Sequence, residues 1–154
     1  MLTDNFGRFH NYLRISITES CNLRCTYCMP AEGIKLTPKG HIMTADEIVL
    51  IAQTFVDFGI NKIRLTGGEP LVRKDVKEII ERLSLLNTEL TITTNGILVN
   101  QYLETFRKAG IGSINVSLDT LQENKFLSKQ NTLMCKFDLL NLCLLMEING
   151  IEKS

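Results

Sequence analysis

The sequence has no excess of either charge. Lysine plus arginine and aspartate plus glutamate number 17 each. A broad nucleic-acid or membrane-binding face needs a basic surplus, so both partners are excluded as expectations. A few local arginines can still hold a small anionic ligand. Long apolar runs are also missing. Residues 1–11 contain no apolar core of signal-peptide length. The most apolar stretch, Leu139 to Ile148, is interrupted by Asn141 and Glu147 and is too short to span a bilayer. A cytoplasmic location is expected. There the five cysteines would be reduced thiols, metal ligands or catalytic groups rather than disulfides. Linkers, low-complexity segments and internal repeats beyond a βα alternation are absent. Histidine is scarce, and His10 and His41 stand alone.

What remains is an ordinary globular composition in 154 residues, 44% of them apolar, enough for one domain with a core. Strand-like runs alternate with helical patterns. Leu13–Thr18, Lys62–Thr66, Leu90–Thr94 and Ser113–Leu118 read as strands. Thr44–Phe58 reads as a helix, opened by a capping box of Thr44 and Glu47, with Ile48, Ile51, Phe55 and Phe58 at helical spacing. Asp75–Leu86 follows, with Val76, Ile79, Ile80 and Leu83 on one face. Val99–Ala109 and Phe137–Asn149 complete the helices. Gly59, Gly110 and Gly150 are their stops. Four βα units predict an α/β fold with an open, four-stranded parallel half-barrel whose last edge is uncovered. A fifth strand would begin at Ile151–Ser154.

The chemistry-bearing residues cluster at the C-terminal ends of these strands, where α/β folds place their sites. After the first strand comes Glu19-Ser20-Cys21-Asn22-Leu23-Arg24-Cys25-Thr26-Tyr27-Cys28. Three thiols are one too few for a closed tetrahedral zinc site. They suit a cuboidal iron–sulfur cluster with one iron open for chemistry, with Arg24 near its charge. A zinc site completed by His10 or His41, or plain core cysteines, are the alternatives. After the second strand comes Gly67-Gly68-Glu69-Pro70, whose glycines let a ligand approach the backbone and whose Glu69 can accept from a ligand ammonium. A plain βα turn is the alternative there. Thr93, Thr94 and Asn95 close the third strand; Ser117 and Asp119 close the fourth. Cys135 and Cys143, eight apart on an apolar helix, fit core packing.

The run CNLRCTYC resembles the cluster motif of the radical S-adenosylmethionine (SAM) superfamily, and GGEP resembles that superfamily's SAM motif. The resemblance implies a partial (β/α)6 barrel, a [4Fe–4S] cluster and SAM as cofactors, and reductive cleavage of SAM to a 5′-deoxyadenosyl radical. LRISITESCNLRCTYCMP, KIRLTGGEPLVRKD, TTNG and INVSLDTL, in that order, are further similar to the N-terminal half of the GTP 3′,8-cyclase family of molybdenum-cofactor biosynthesis. That likeness implies cluster ligands at Cys21, Cys25 and Cys28. It implies SAM contacts at Tyr27, Gly67, Gly68, Glu69 and Ser117, and GTP contacts at Arg14, Arg64 and Thr93. No catalytic side chain beyond the cluster is implied. GTP and an electron donor are the implied partners, with homodimerisation left open. Residues 1–154 correspond to the N-terminal part of the core domain, without the family's second-cluster region. Leu127–Asn131 departs from the family's basic turn. Alone, this chain is expected not to turn over GTP. A radical SAM enzyme for another substrate and a non-catalytic metal-binding fragment are the competing readings.

Overall fold

The computed structural model describes residues 2–26, 28, 33, 35–117 and 152–153. A short antiparallel hairpin, β1 (Leu2–Thr3) and β2 (Phe9–His10), precedes the main sheet. The sheet strands are β3 (Tyr12–Ser16), β4 (Lys62–Thr66), β5 (Glu89–Thr94), β6 (Ser113–Val116) and β7 (Glu152–Lys153). They lie in the order β3-β4-β5-β6-β7, and every neighbouring pair is parallel. Each strand therefore sits beside the next one in the chain. A doubly wound sheet would reverse that order at its switch point; an unreversed order is the wall of a barrel. The fifth strand expected to begin at 151–154 is β7: Glu152 and Lys153 pair with Ser113 and Ile114, so the edge of β6, expected to be uncovered, is paired. The helix expected over 137–149, with Cys135 and Cys143, lies outside the described residues.

Among the described residues three α-helices cover one face of the sheet: α1 (Ala45–Asp57), α2 (Val76–Leu83) and α3 (Val99–Lys108). Ile15, Ile63, Leu65, Leu90, Ile92 and Ile114 alternate toward that face and are buried, as are Val76, Ile79, Ile80 and Leu83 of α2. Each such side chain contributes about 1.5–3 kcal/mol by leaving water. The core-facing stripe of α1 differs from the expected one. Ile48 and Ala52 are fully buried, while Ile51 is 37% and Phe58 53% exposed. The stripe runs through i, i+4 and i+7, and Ile51 and Phe58 fall on its flank.

Helix α1 starts as its sequence predicts. Glu47 N–H donates to Thr44 Oγ1 at 3.2 Å, and the Glu47 carboxylate accepts from Thr44 N–H at 2.7 Å. Thr44→Ala removes this cap and lowers stability by about 1 kcal/mol. Urea unfolding would show it as a lower midpoint with an unchanged slope. Gly59 (φ 102°) and Gly110 (φ 67°) reverse the chain after α1 and α3 in the left-handed region. Among the described residues no helix is long and apolar enough to cross a membrane.

The other face of the sheet is polar. Tyr12, Arg14 and Ser16 of β3 share it with Lys62, Arg64 and Thr66 of β4, Thr91 and Thr93 of β5, and Asn115 of β6. The interior of an ordinary (β/α)8 barrel is packed with branched apolar side chains. A wall lined with arginine and threonine is instead suited to a polar ligand.

Candidate functional site

The pairing of β3 with β4 does not stop where the strands end. Ile17 N–H donates to Thr66 O, Gly68 N–H to Thr18 O and Glu69 N–H to Ser20 O, at 2.8–3.0 Å. This extension carries residues 17–20 alongside residues 66–69 and delivers Cys21 to the C-terminal edge of the sheet. It also explains the two glycines. A Cβ on Gly67 would lie 2.3 Å from Thr18 O, and one on Gly68 would lie 2.5 Å from Ser20 O and 2.6 Å from Glu19 O. Gly67 also has φ of 145°. The close approach that demands glycine here is made by the chain's own backbone.

The cysteine loop is closed at its base by Glu19, whose carboxylate accepts from the N–H and the hydroxyl of Thr37. Inside it, Leu23 is buried and anchors the loop. Cys28 N–H donates to Cys25 O at 3.0 Å in a tight turn. Leu23 N–H donates to Cys21 Sγ at 3.3 Å. Cys21 and Cys25 are half-buried and Cys28 is exposed. Burial pushes the Cys21 thiol up; the Leu23 N–H pulls it back, while the nearby Glu69 carboxylate adds to the rise. Metal binding at Cys21 therefore releases a proton.

Among the described residues no three Cys, His, Asp or Glu side chains form a ready-made cage. His10 belongs to the hairpin that precedes β3 and lies 3.5 Å from Asp4. It is separated from the cysteines by the length of that strand, on the order of 15 Å. It therefore cannot complete a zinc site. The donor set of three soft sulfurs on one short loop fits a cluster bound through three corners.

Beneath the loop sits Glu69, fully buried. Its Oε1 accepts from Leu71 N–H at 3.1 Å and from the Thr94 hydroxyl at 2.8 Å; its Oε2 accepts from Asn95 N–H at 2.7 Å. Burial raises the Glu69 pKa, and these three donors oppose the rise without cancelling it. The carboxylate thus joins the tips of β4 and β5. Asn95 completes the link to the loop: its amide nitrogen donates to Asn22 Oδ1 at 2.7 Å and lies 3.9 Å from Cys21 Sγ.

Arg73 braces the same region from the helix side. It donates to Ile17 O and Met43 O and pairs bidentately with Asp75.

On the polar face, Arg14 and Arg64 are register partners on β3 and β4. Arg64 Nε donates to Thr91 Oγ1 at 3.2 Å, and its guanidinium stands over the Tyr12 ring. No carboxylate among the described residues pairs with either arginine. Like charges set directly across a sheet repel each other. An anion between them would turn that repulsion into attraction. Thr93 lies on the same face, one pleat beyond Thr91. Ser117 follows β6, its N–H donating to Thr94 O at 2.9 Å.

The structure therefore brings the cysteine loop, the GGEP turn and the TTNG turn together at one edge, above a wall that carries Arg14, Arg64 and Thr93. Tyr27 and Asp119 lie outside the described residues. The sequence reading missed Asn95 as a contact of the loop. The only local signal for it is the Asn-Gly pair that ends β5.

The sequence profile of the Radical SAM superfamily matches residues 15–141. The chain belongs to the radical SAM superfamily. Solved structures share its fold. Streptococcus suis SuiB bound to S-adenosylmethionine superposes with a TM-score of 0.74 at 23% identity, covering 94% of this chain and 31% of SuiB. BtrN in complex with AdoMet and 2-DOIA gives a TM-score of 0.60 at 16% identity, covering 96% and 56%.

Within this radical SAM group, the chain is 57% identical over 128 residues to the mitochondrial GTP 3′,8-cyclase of Arabidopsis thaliana, covering 82% of this chain and 33% of the relative. It is 58% identical over 127 residues to molybdenum cofactor biosynthesis protein 1 of Homo sapiens, covering 81% and 20%. To the GTP 3′,8-cyclase of Peptoclostridium acidaminophilum it is 49% identical, covering 82% and 39%. The chain thus spans between a fifth and two fifths of the length of these relatives.

Proposed function

We propose that this chain provides the SAM-cleaving core of a GTP 3′,8-cyclase. In this reading GTP is rearranged to (8S)-3′,8-cyclo-7,8-dihydroguanosine 5′-triphosphate for molybdenum-cofactor biosynthesis. The observation that carries the proposal is three thiols at the sheet edge above Arg14 and Arg64, neither of which pairs with a carboxylate among the described residues. A soft-metal site and an anion site then share one mouth.

Cys21, Cys25 and Cys28 would hold a [4Fe–4S] cluster. The chemistry such a group supplies together with SAM is one-electron cleavage of a sulfonium C–S bond, giving a 5′-deoxyadenosyl radical. Gly67 and Gly68 are exposed beside the loop, Ser117 follows β6 two strands away from β4, and by the family likeness these residues and Tyr27 are assigned to SAM. Glu69 acts from beneath: its buried carboxylate holds the turn in place. Arg14 and Arg64 meet phosphate, for which a planar guanidinium gives paired hydrogen bonds. Thr93 adds a hydroxyl on the same face. The reading requires an outside electron donor and a reducing compartment, which we take to be the cytoplasm.

Anaerobic reconstitution with iron and sulfide tests the proposal. An iron–sulfur absorption band and an EPR signal changed by SAM are expected. One tightly bound zinc and no iron would sink it. The substrate has its own test. Arg64→Ala should weaken GTP binding about tenfold or more, the loss of a charge-assisted contact of roughly 1.5–3 kcal/mol, while iron content stays unchanged. Equal loss of iron and GTP binding would argue against GTP at this wall.

A further inference from the structure

We infer that Asn95 is a tuning residue for the cluster: its side-chain amide, locked in orientation by the turn after β5, donates toward the Cys21 sulfur and ties the cysteine loop to the sheet. The inference rests on the cluster reading above and adds to it a residue and a property.

The orientation of the amide follows from its neighbours. Ile97 N–H donates to Asn95 Oδ1 at 3.1 Å. A backbone N–H has no lone pair to offer, so the atom facing it is the oxygen. The NH2 group must then face the other way, where it meets Asn22 Oδ1 at 2.7 Å and Cys21 Sγ at 3.9 Å. The backbone of Asn95 is pinned as well, by its N–H to Glu69 Oε2. Backbone and side chain are thus held by three separate partners, and the direction of the NH2 group is not left to choice.

A metal-bound thiolate only accepts hydrogen bonds. Among the described residues two N–H groups face Cys21 Sγ: the backbone of Leu23 and the side chain of Asn95. Asn95 is half-buried, so its dipole is less screened than one in open water. Reduction adds negative charge to a cluster and its sulfurs. Donors aimed at a ligand sulfur stabilise that reduced state more than the oxidised one and raise the potential. For a group that must be reduced before it can act, this is a direct control on reactivity. Asn95 lies 74 residues from Cys21 in sequence, so it also couples the end of β5 to the electronics of the loop.

Asn95→Ser is the informative variant. Serine keeps a hydroxyl oxygen that can accept from Ile97 N–H, so the turn survives. It is neutral, and it is too short to reach Asn22 or Cys21. The full chain and this variant are reconstituted anaerobically with iron and sulfide, and the cluster is titrated by EPR against a potential scale. At a fixed poise the variant should show a three- to tenfold lower ratio of reduced to oxidised cluster; tenfold is about 59 mV for a one-electron couple. Iron and sulfide content should be equal. Equal potentials at equal loading would overturn the inference. A wild-type chain that takes up no iron overturns the cluster reading first, and this inference with it. Asn22→Ala guards against a folding effect. Asn22 is exposed, and removing its side chain leaves Cys21 Sγ as the acceptor for the Asn95 amide. The potential should then move upward, and no shift in either variant counts against the assignment.

Discussion

Glu69→Ala lowers stability by about 3–5 kcal/mol, because it leaves three donors around a buried site without their acceptor. Leu71 N–H, the Thr94 hydroxyl and Asn95 N–H all lose their acceptor. Each stranded buried donor costs about 1–3 kcal/mol, and water entering the vacated volume recovers part of the sum. Glu69→Gln costs less, about 1–2 kcal/mol, since one oxygen still serves Leu71 and Thr94 while the NH2 opposes Asn95 N–H. Urea unfolding separates the two variants. The pH dependence has a definite sign. Burial holds the folded pKa of Glu69 above its unfolded value, so the folded state keeps the proton longer. Stability from this group is present below about pH 4.3, the ordinary glutamate value, and is lost as pH rises to the raised folded value. Glu69→Gln should remove that slope. An unchanged slope would show that the three donors fully offset burial.

Gly68→Ala should abolish placement of the cysteine loop. The added methyl would meet Ser20 O at 2.5 Å, Glu19 O at 2.6 Å and Ser20 C at 2.8 Å. These are backbone atoms and cannot rotate away as a side-chain tip can. Relief requires residues 19–20 to move off β4, which breaks the bonds from Gly68 N–H to Thr18 O and from Glu69 N–H to Ser20 O. A cost of about 3 kcal/mol follows from overpacking alone. Iron uptake should fall by more than tenfold, a loss of over about 1.4 kcal/mol in binding. Gly112→Ala is the control: a Cβ there meets nothing within 4 Å, so stability should change by less than about 0.5 kcal/mol. If Gly68→Ala loads iron like the control, the loop is not held through this contact.

Much of the fold was legible because its signals are local. Strand β4 runs over Lys62–Thr66, as its alternation predicts. The Thr44–Glu47 capping box forms, and the α2 stripe of Val76, Ile79, Ile80 and Leu83 is fully buried. Each of these depends on residues within one or two turns of each other. The α1 face was misplaced because apolar side chains occur on several of its sides, and only packing against the sheet selects Ile48 and Ala52. The fifth strand falls at 151–154 as expected, but its pairing with β6, which covers an edge expected to be open, is a long-range contact that no local pattern carries.

The site divides in the same way. Three thiols at spacings of four and three, two arginines on adjacent strands and a Gly-Gly turn are visible in the chain itself. Their reasons are not. The glycines looked like room for a ligand; their missing side chains also make room for the backbone of Thr18–Ser20. Glu69 looked like a partner for a ligand ammonium; its carboxylate is engaged by the ends of β4 and β5. Asn95 showed only a polar residue closing a strand, and its contact with Cys21 exists only because parallel pairing sets β5 beside β4 and β4 beside β3.

The sequence by itself determined which donor atoms the chain owns and the strand ends that carry them, because side-chain type and short-range periodicity are local properties. The tertiary structure decided which of those atoms meet. Register across three strands placed Arg14 opposite Arg64, ran residues 17–20 along residues 66–69, and brought an asparagine amide to a cysteine sulfur. Those distances follow from long-range pairing, which no window of neighbouring residues contains.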